Sequence, residues 1–146
     1  MKKNQSIIIR TAGPSDAAAL AALSAELGYP TPSIEMKSRL ESLYSNPANG
    51  IFVAELGIIV GWIHISIIES LESEVFSEIR GLVVTELHRG MGIGAQLVAA
   101  AEAWAREKGC NRIRVRTNIA RVEAHEFYKK LGYALTKTQE VFDKPM

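Results

Sequence analysis

The chain has 146 residues, of which 47% are hydrophobic and 23% are charged. This length suits one domain and the fractions are near the globular average, so collagen-like, coiled-coil and disordered chains are excluded. The single cysteine, Cys110, excludes an intramolecular disulfide and a cysteine-rich zinc site, and we expect no metal. We predict one domain over residues 1–146, with its core starting at about residue 7.

Two further observations concern location. No apolar run approaches the roughly 18 residues of a membrane span, so no membrane partner is expected. The apolar triplet that follows Lys2 and Lys3 is shorter than the apolar region of a signal peptide. We therefore expect a cytoplasmic protein.

The net charge of +1 conceals an uneven distribution along the chain. Residues 1–79 contain 5 Lys and Arg against 9 Asp and Glu, a net charge of −4, whereas residues 80–146 contain 12 against 7, a net charge of +5. The small total argues against bulk nucleic-acid binding. The opposite signs indicate that the basic half binds an anionic partner, and a cationic partner of the acidic half is possible. The alternative is that charged residues are scattered without function on a neutral domain.

The secondary structure is predicted from turn residues and from the spacing of apolar residues. For example, Pro14 starts a helix that Gly28 ends, and Gly57 alone separates two β-rich runs, which indicates a tight antiparallel hairpin. In chain order, strands are predicted at 7–11, 51–56, 58–68, 75–84 and 113–117 with a final pair at 133–134 and 140–142, and helices at 14–27, 32–46, 93–108 and 124–131.

This order predicts a fold class. A run of antiparallel strands is followed by a strand–helix–strand crossover, and such crossovers join parallel strands. The sheet is therefore mixed and mostly antiparallel, with helices on both faces. We predict a single α/β (α+β) domain without internal repeats or linkers.

The segment after the third β-rich run has the clearest chemical signal. Gly90, Gly92 and Gly94 lie between a strand that ends near Val84 and the most regular helix of the sequence. Glycines let the backbone turn sharply and approach a ligand, and the first amides of a helix attract anions. Arg89 adds a positive charge at the same place. The segment predicts a phosphate or pyrophosphate site; a flexible turn with a solvated arginine is the alternative.

The residues from Gly90 to Ala95 also fit the dinucleotide pattern G-x-G-x-x-G/A. However, only about 50 residues follow, too few for the second half of a dinucleotide fold. Where an acidic residue should bind the ribose, the chain has Arg112, Arg114 and Arg116. Arginines are suitable partners for a 2′-phosphate, so the hypothesis of an NADP-binding domain is weakened but not excluded.

Two motifs, taken together, resemble those of the GCN5-related N-acetyltransferases. The first is similar to that family's R/Q-x-x-G-x-G/A pattern for the pyrophosphate of acetyl-coenzyme A, and the second to its A-x-x-F-Y-x-x-x-G-F/Y segment. They read Arg89-Gly90-Met91-Gly92-Ile93-Gly94 and Ala124-His125-Glu126-Phe127-Tyr128-Lys129-Lys130-Leu131-Gly132-Tyr133. The order of elements agrees as well, so the resemblance covers nearly the whole chain.

The resemblance implies a sheet splayed between its fourth and fifth strands, with the pantetheine arm of coenzyme A in the splay. The Val84 amide is then expected to bind the acetyl carbonyl as an oxyanion donor, and Tyr128 to protonate the departing thiolate. Either Asn118 or Arg121 is expected to contact coenzyme A, and the choice stays open. The expected main-chain contacts to the cofactor come from Leu82, Val83, Val84, Arg89, Gly90, Met91, Gly92, Ile93, Gly94 and Ala95.

Acetyl transfer also requires an uncharged amine, and a primary amine has a pKa of about 10 in water. A base is therefore useful, and Glu78 is our candidate, with Glu74 as a competitor. The structural alternatives are ordinary ones: Tyr128 as a core residue of its helix, and Glu78 as a salt-bridged strand residue. His64 alternates into a strand and indicates no function.

The expected activity is the transfer of an acetyl group from acetyl-CoA to an amine of a small, cationic molecule or a peptide, by direct attack and without a covalent enzyme intermediate. The acidic half of the chain motivates the cationic acceptor. A non-catalytic acyl-CoA-binding module is the main alternative, and an NADP-binding domain the lesser one. Homodimers are common among proteins of this kind, so a homodimer is also open.

Overall fold

The computed structural model describes residues 6–146, and Lys2 and Lys3 lie outside the described residues. Its two compact units are residues up to Val115 and residues from Arg116, which we describe separately; the expectation of one domain stays a prediction. The elements are β1 (Ile8–Thr11), α1 (Ala17–Glu26), α2 (Ser33–Tyr44), β2 (Asn49–Leu56), β3 (Ile58–Ile68), β4 (Phe76–Val84), α3 (Ile93–Glu107), β5 (Ile113–Val115) and α4 (Val122–Lys130).

The predicted elements are confirmed within about two residues, with two exceptions. Helix α1 begins at Ala17, three residues later than predicted, because residues Pro14–Asp16 form a short 3-10 helix. The final strand pair, predicted at 133–134 and 140–142, is wrong, because residues 133–146 form no helix or strand. Residues 135–139, which would connect those two segments, contain no Gly, Asn, Asp or Pro of the kind that forms hairpin turns. A two-stranded hairpin without a layer to pack on is also marginal in water.

In the first unit, the described strands form one mixed sheet in the order β1-β2-β3-β4-β5. The first three pairings are antiparallel and β4 pairs with β5 in parallel. The turn between β2 and β3 is Gly57 alone, at φ +75°, a conformation that glycine adopts without strain. The predicted mixed, mostly antiparallel sheet is confirmed.

The sheet is splayed between β4 and β5. Their pairing covers only three positions, from Ser77 opposite Ile113 to Ile79 opposite Val115. On its other edge, β4 stays paired with β3 as far as Val84. A β-bulge at Arg80 divides the strand into these two parts. Residues 80–84 of β4 therefore leave their β5-facing edge without a strand partner in the sheet.

Helices cover both faces of this sheet, as predicted. Helix α3 approaches closely at two glycines: a Cβ on Gly61 would lie 3.1 Å from Leu97, and one on Gly50 would lie 2.8 Å from the Trp104 ring. Ile51 follows Gly50 in β2 and so faces the opposite side. That side is covered by α1 and α2, whose side chains form a cluster with the sheet: Ala12, Ala17, Leu20, Leu40, Ile51 and Val53.

A partly buried ion pair joins β1 to the start of α1. The two guanidinium nitrogens of Arg10 each donate to a carboxylate oxygen of Asp16 at 2.9 Å, and the Gly13 amide donates to the same carboxylate at 2.8 Å. Asp16 is 6% exposed. The hydrogen bonds from Arg10 lower the pKa of Asp16 below its usual value. The pair therefore holds the first helix against the edge of the sheet.

Replacing Asp16 with Ala should lower the free energy of unfolding by about 2–3 kcal/mol, because Arg10 loses its two shortest side-chain hydrogen bonds and keeps the longer contact with Glu55, while the Gly13 amide loses its acceptor. Above a pH of about 4 the wild-type carboxylate is ionised in both the folded and the unfolded state, so the loss of stability should have its full size there. At lower pH the wild-type carboxylate becomes protonated, and the difference between wild type and variant should decrease. Urea denaturation across pH measures both effects. Glu35→Ala, which breaks the exposed pair with Arg39, is the control and should change stability by less than about 0.5 kcal/mol. Equal losses for the two variants would contradict this account.

Candidate active site

The turn between β4 and α3 depends on two glycines with left-handed backbone conformations. Gly90 has φ +82° and Gly92 has φ +79°. A Cβ at either position would meet no atom within 4 Å. The conformation of the backbone, rather than crowding, therefore favours glycine here, since other residues are strained at such φ values.

The first amides of α3 are available at this turn. Gly92 is the N-cap residue, and glycine has no side chain that could accept a hydrogen bond from them. The Gln96 amide donates to the Gly92 carbonyl at 3.1 Å and so begins the helical pattern. The preceding amides, those of Ile93, Gly94 and Ala95, have no partner one turn earlier in the helix. Buried Ile93 and Leu97 anchor this end of the helix on the sheet.

Two contacts hold the start of the turn. The Arg89 Nε donates to the Val84 carbonyl at 3.5 Å. The Glu26 carboxylate, at the end of α1, accepts hydrogen bonds from the Thr85 hydroxyl at 3.1 Å and from the Glu86 amide at 3.1 Å. Sequence reasoning missed Glu26, and no local pattern indicates it, because it is about 60 residues away from the turn it holds.

The end of β4 presents a main-chain donor to the splay. The Thr85 amide donates to the Val60 carbonyl of β3 at 2.8 Å. Successive amides of an extended chain point to opposite edges. The Val84 amide therefore points away from β3, toward the edge that β5 leaves unpaired.

A row of polar and aromatic side chains lies on the face of the sheet that α1 and α2 cover. Glu78 is 4% exposed and is paired with Arg80 at the bulge. His64 lies opposite Gly81, and the Trp62 ring covers that glycine, whose Cβ would lie 2.8 Å from it. Glu74, the competitor for the role of base, is exposed outside the strand.

His64 is neutral at physiological pH. Its Nε2 lies 2.9 Å from the Asn49 Oδ1, which only accepts, so Nε2 carries the proton. Burial, followed by the positive charge of Arg80, lowers the pKa of His64 to about 4. No local pattern indicates this environment, because strand pairing alone brings Asn49 and Arg80 close to His64.

The second unit contains Tyr128, Asn118 and Arg121. Tyr128 is buried on α4 and makes edge-to-face contacts with Phe127 and Tyr133, at centroid distances of 5.0 and 5.5 Å. Burial raises the pKa of Tyr128 to about 12, against an opposing effect of Arg121, so the phenol keeps its proton at neutral pH.

The structure gives Asn118 and Arg121 different tasks at the start of α4. The Asn118 Oδ1 accepts from the Ala120 amide at 2.9 Å, and its carbonyl contacts the His125 ring at 3.0 Å. Arg121 is the N-cap residue of α4, and its side chain is exposed. The Asn118 oxygen is thus used within the turn, while the Arg121 guanidinium is accessible.

The predicted residues therefore fall into two groups. The first unit brings together the end of β4, the glycine turn and Glu78, and the second unit carries Tyr128, Asn118 and Arg121. Within residues 6–146, no group of three or more His, Cys, Asp or Glu is arranged to hold a metal ion. None of the helices in the same residues has the length and apolar character needed to cross a membrane.

Comparison with known proteins identifies the family. Residues 18–133 match the acetyltransferase (GNAT) family. An aminoglycoside N(6')-acetyltransferase type 1 of Stenotrophomonas maltophilia is 28% identical over 144 residues, covering 94% of this chain and 93% of that protein. An aminoalkylphosphonate N-acetyltransferase of Salmonella typhimurium is 48% identical over 56 residues, 38% of this chain and 36% of that protein.

The solved structures agree with this result. The aminoglycoside N-acetyltransferase AAC(6')-Iy, solved in complex with CoA, superposes with a TM-score of 0.88 at 20% identity, covering 100% of this chain and 99% of that chain. A structural similarity at 20% sequence identity is evidence for a shared fold. The predicted fold class and the predicted family are both confirmed. The chain belongs to the GNAT family of acetyltransferases and is an acetyltransferase enzyme.

Proposed function

We propose that the protein transfers an acetyl group from acetyl-CoA to the amine of a small cationic acceptor by direct attack. One observation carries the proposal: the glycine turn, the first amides of α3 and the Val84 amide all border the edge of β4 that β5 leaves unpaired. A pyrophosphate needs the glycine turn and the first amides of α3. An extended thioester arm needs the Val84 amide as a donor to its carbonyl.

The cofactor contacts follow from this edge. The pantetheine arm would lie beside residues 82–84 as an additional strand, and the pyrophosphate would accept hydrogen bonds from the amides of residues 89–95. The exposed Arg89 would supply a positive charge to the phosphates. Between the two open choices in the second unit, we favour Arg121, because the Asn118 oxygen already accepts a hydrogen bond from Ala120.

The acid that completes the reaction is Tyr128. A leaving thiolate has a conjugate acid with a pKa of about 8.5 and so accepts a proton from a neutral phenol only with help from its surroundings. Burial raises the pKa of Tyr128 to about 12, which keeps the proton on the phenol at neutral pH but makes its transfer to the thiolate less favourable than transfer from an ordinary phenol. The Val84 amide would stabilise the oxyanion at the same stage.

The base is Glu78, acting directly or through a water molecule. Glu78 is buried on β4, two residues before the bulge that begins the unpaired edge, whereas Glu74 is exposed outside the strand. The pairing with Arg80 places a positive charge beside this carboxylate and fixes its position on the strand.

The acceptor class rests on charge. Residues 1–79 carry a net charge of −4, and Glu69, Glu72 and Glu74 are exposed in the connection between β3 and β4. This half of the chain would attract a cationic amine, while the basic half would attract the phosphates of the cofactor. A relative that matches over 94% of the chain is named for aminoglycosides, which are polycationic amines.

The direct test combines a binding experiment with an acceptor panel. In calorimetric titrations, acetyl-CoA should bind and NADPH should not bind at the same site. Turnover with polyamines, aminoglycosides and amine-bearing peptides should then exceed turnover with neutral or zwitterionic amines, aminoalkylphosphonates included. Turnover confined to the neutral and zwitterionic amines would contradict the cationic acceptor, and binding of NADPH alone would contradict the cofactor.

Gly92→Val should weaken acetyl-CoA binding by about tenfold or more, because a β-branched residue at φ +79° is strained and displaces the first amides of α3. Gly109→Val is a matched control just beyond the other end of α3, with φ +81° and equally open space. The two variants should lose similar stability, yet only Gly92→Val should lose affinity in calorimetry. Equal affinities would show that the turn does not bind the cofactor.

Tyr128→Phe should reduce kcat by about 100-fold, because it removes the proton donor and keeps the ring contacts. Acetyl-CoA affinity should stay within about twofold of the wild type. Tyr44→Phe, at the exposed end of α2, is the control and should leave kcat unchanged. Normal binding without turnover in the wild type itself would instead favour a non-catalytic acyl-CoA-binding module, and unchanged kcat in Tyr128→Phe would remove the acid role.

Glu78→Gln should reduce kcat by about 100-fold with little change in acetyl-CoA affinity, since a neutral amide cannot accept the proton of the amine. Raising the pH should recover part of the rate, because more of the acceptor is then uncharged. Glu74→Gln provides the comparison, and its rate should stay near that of the wild type. If the two variants exchanged these behaviours, Glu74 would be the base.

A further inference from the structure

One tryptophan of the sheet lies close to the proposed reaction site but takes no part in binding the cofactor or moving a proton. Trp62 lies on β3 opposite Val83 of β4, on the face that α1 and α2 cover. Its six-membered ring extends across to β4, because a Cβ on Gly81 would lie 2.8 Å from Cη2 and 3.0 Å from Cζ3. The far edge of the ring therefore lies beside the part of β4 that β5 leaves unpaired.

Gly81 is matched to this ring. Its φ lies outside the left-handed region, so the backbone conformation does not require glycine there. Glycine weakens a strand, and its presence inside one often marks the close approach of another group. Here the approaching group is the Trp62 ring, which a side chain at residue 81 would displace. The pair thus keeps an aromatic ring next to β4.

The Trp62 ring has no cation from its own chain. Two other rings of the first unit do: Lys108 lies 5.7 Å from the centroid of Trp104, and two arginines lie 4.4 and 4.6 Å from the centroid of Phe76. Within residues 6–146, no such cation lies over Trp62. Trp62 is only partly buried, and the indole is the aromatic side chain that binds cations best. The ring is therefore suited to a cation that a ligand supplies.

The proposed base lies on the same face of the sheet. Glu78 is opposite Ser66, which shares the face of Trp62 because it is four residues further along β3. Glu78 precedes Gly81 by three residues, so the carboxylate and the ring edge are attached to points of β4 within about 10 Å of each other. The charge of Arg80, on the same strand, is paired with Glu78. One small molecule can thus reach both Glu78 and the ring.

The charge of the acceptor decides what the ring can bind. A primary amine has a pKa of about 10 and must be uncharged when it attacks the thioester, so a cation on the ring belongs to another group of the acceptor. We propose that Trp62 determines acceptor specificity by binding a second, charged ammonium group of the acceptor through a cation–π contact. The preferred acceptors then carry at least two amines on one short chain or ring system. This inference rests on the proposed cationic acceptor and adds the residue that recognises its charge.

A matched pair of acceptors tests the proposal on the full chain. Putrescine, a four-carbon diamine, keeps one charged ammonium when its other amine attacks, whereas n-butylamine has the same carbon chain and no second ammonium. The wild type should show a kcat/KM about tenfold higher for putrescine, mainly through KM. Trp62→Leu should bring this ratio close to one, and Trp62→Phe should keep part of it. The affinity for acetyl-CoA, measured by calorimetry, should stay at the wild-type value in both variants.

Trp104→Leu is the matched control, because this tryptophan also packs over a glycine, with a Cβ on Gly50 2.8 Å from its ring, on the opposite face of the sheet. It should lose similar stability and keep the preference for putrescine. Equal ratios in Trp62→Leu and the wild type would overturn the role of Trp62 and leave the proposed function in place. Turnover confined to neutral or zwitterionic amines would instead contradict the proposed acceptor and this inference together.

NMR of the unmodified protein gives a second measurement that does not depend on how the variants fold. The chain has two tryptophans, so two indole N–H signals are expected, and the spectrum of Trp104→Leu assigns them. Titration with putrescine in the presence of CoA should shift the Trp62 signal and leave the Trp104 signal in place. The same concentrations of n-butylamine should shift neither signal. A shift confined to Trp104, or no shift at putrescine concentrations that saturate turnover, would overturn the proposal.

Discussion

The separation of β4 from β5 after three paired positions is the constraint on which the proposed chemistry depends. Two parallel strands that stayed paired to the end of β4 would use the amides of residues 80–84 for each other. The bulge at Arg80 and the end of β5 at Val115 prevent this, while pairing with β3 keeps β4 extended as far as Val84. The result is a rigid main-chain edge with hydrogen-bonding groups that an extended ligand can reach.

The contacts around this edge hold its two ends. The helix α3 is fixed on the sheet by Leu97 over Gly61 and by Trp104 over Gly50, so its N-terminus has a defined position next to the end of β4. The Glu26 carboxylate ties the intervening turn to α1. A pyrophosphate site needs this rigidity, because amides that are already oriented lose little entropy when they bind an anion.

The bulge has a second consequence on the face covered by α1 and α2. It brings Arg80 next to both Glu78 and His64, so one guanidinium pairs with the carboxylate and disfavours protonation of the imidazole. The buried Glu78 carboxylate is the group on this face that we propose as the acceptor of the amine proton. The exposed acidic residues that motivate a cationic acceptor, Glu69, Glu72 and Glu74, lie in the connection that precedes β4.

The sequence alone determined the order and type of the elements, the mixed sheet and the glycine turn, because these follow from local signals: apolar periodicity, helix-ending glycines and a glycine motif between a strand and a helix. The predicted C-terminal strand pair is wrong, because strand propensity alone supplies neither the turn residues of a tight hairpin nor a layer for it to pack on. Only the tertiary structure decided that Glu26 holds the turn, that the Val84 amide points to the unpaired edge and that Arg80 controls His64. Each of these depends on contacts between residues distant in sequence or on the register of paired strands, and neither is encoded in any local pattern.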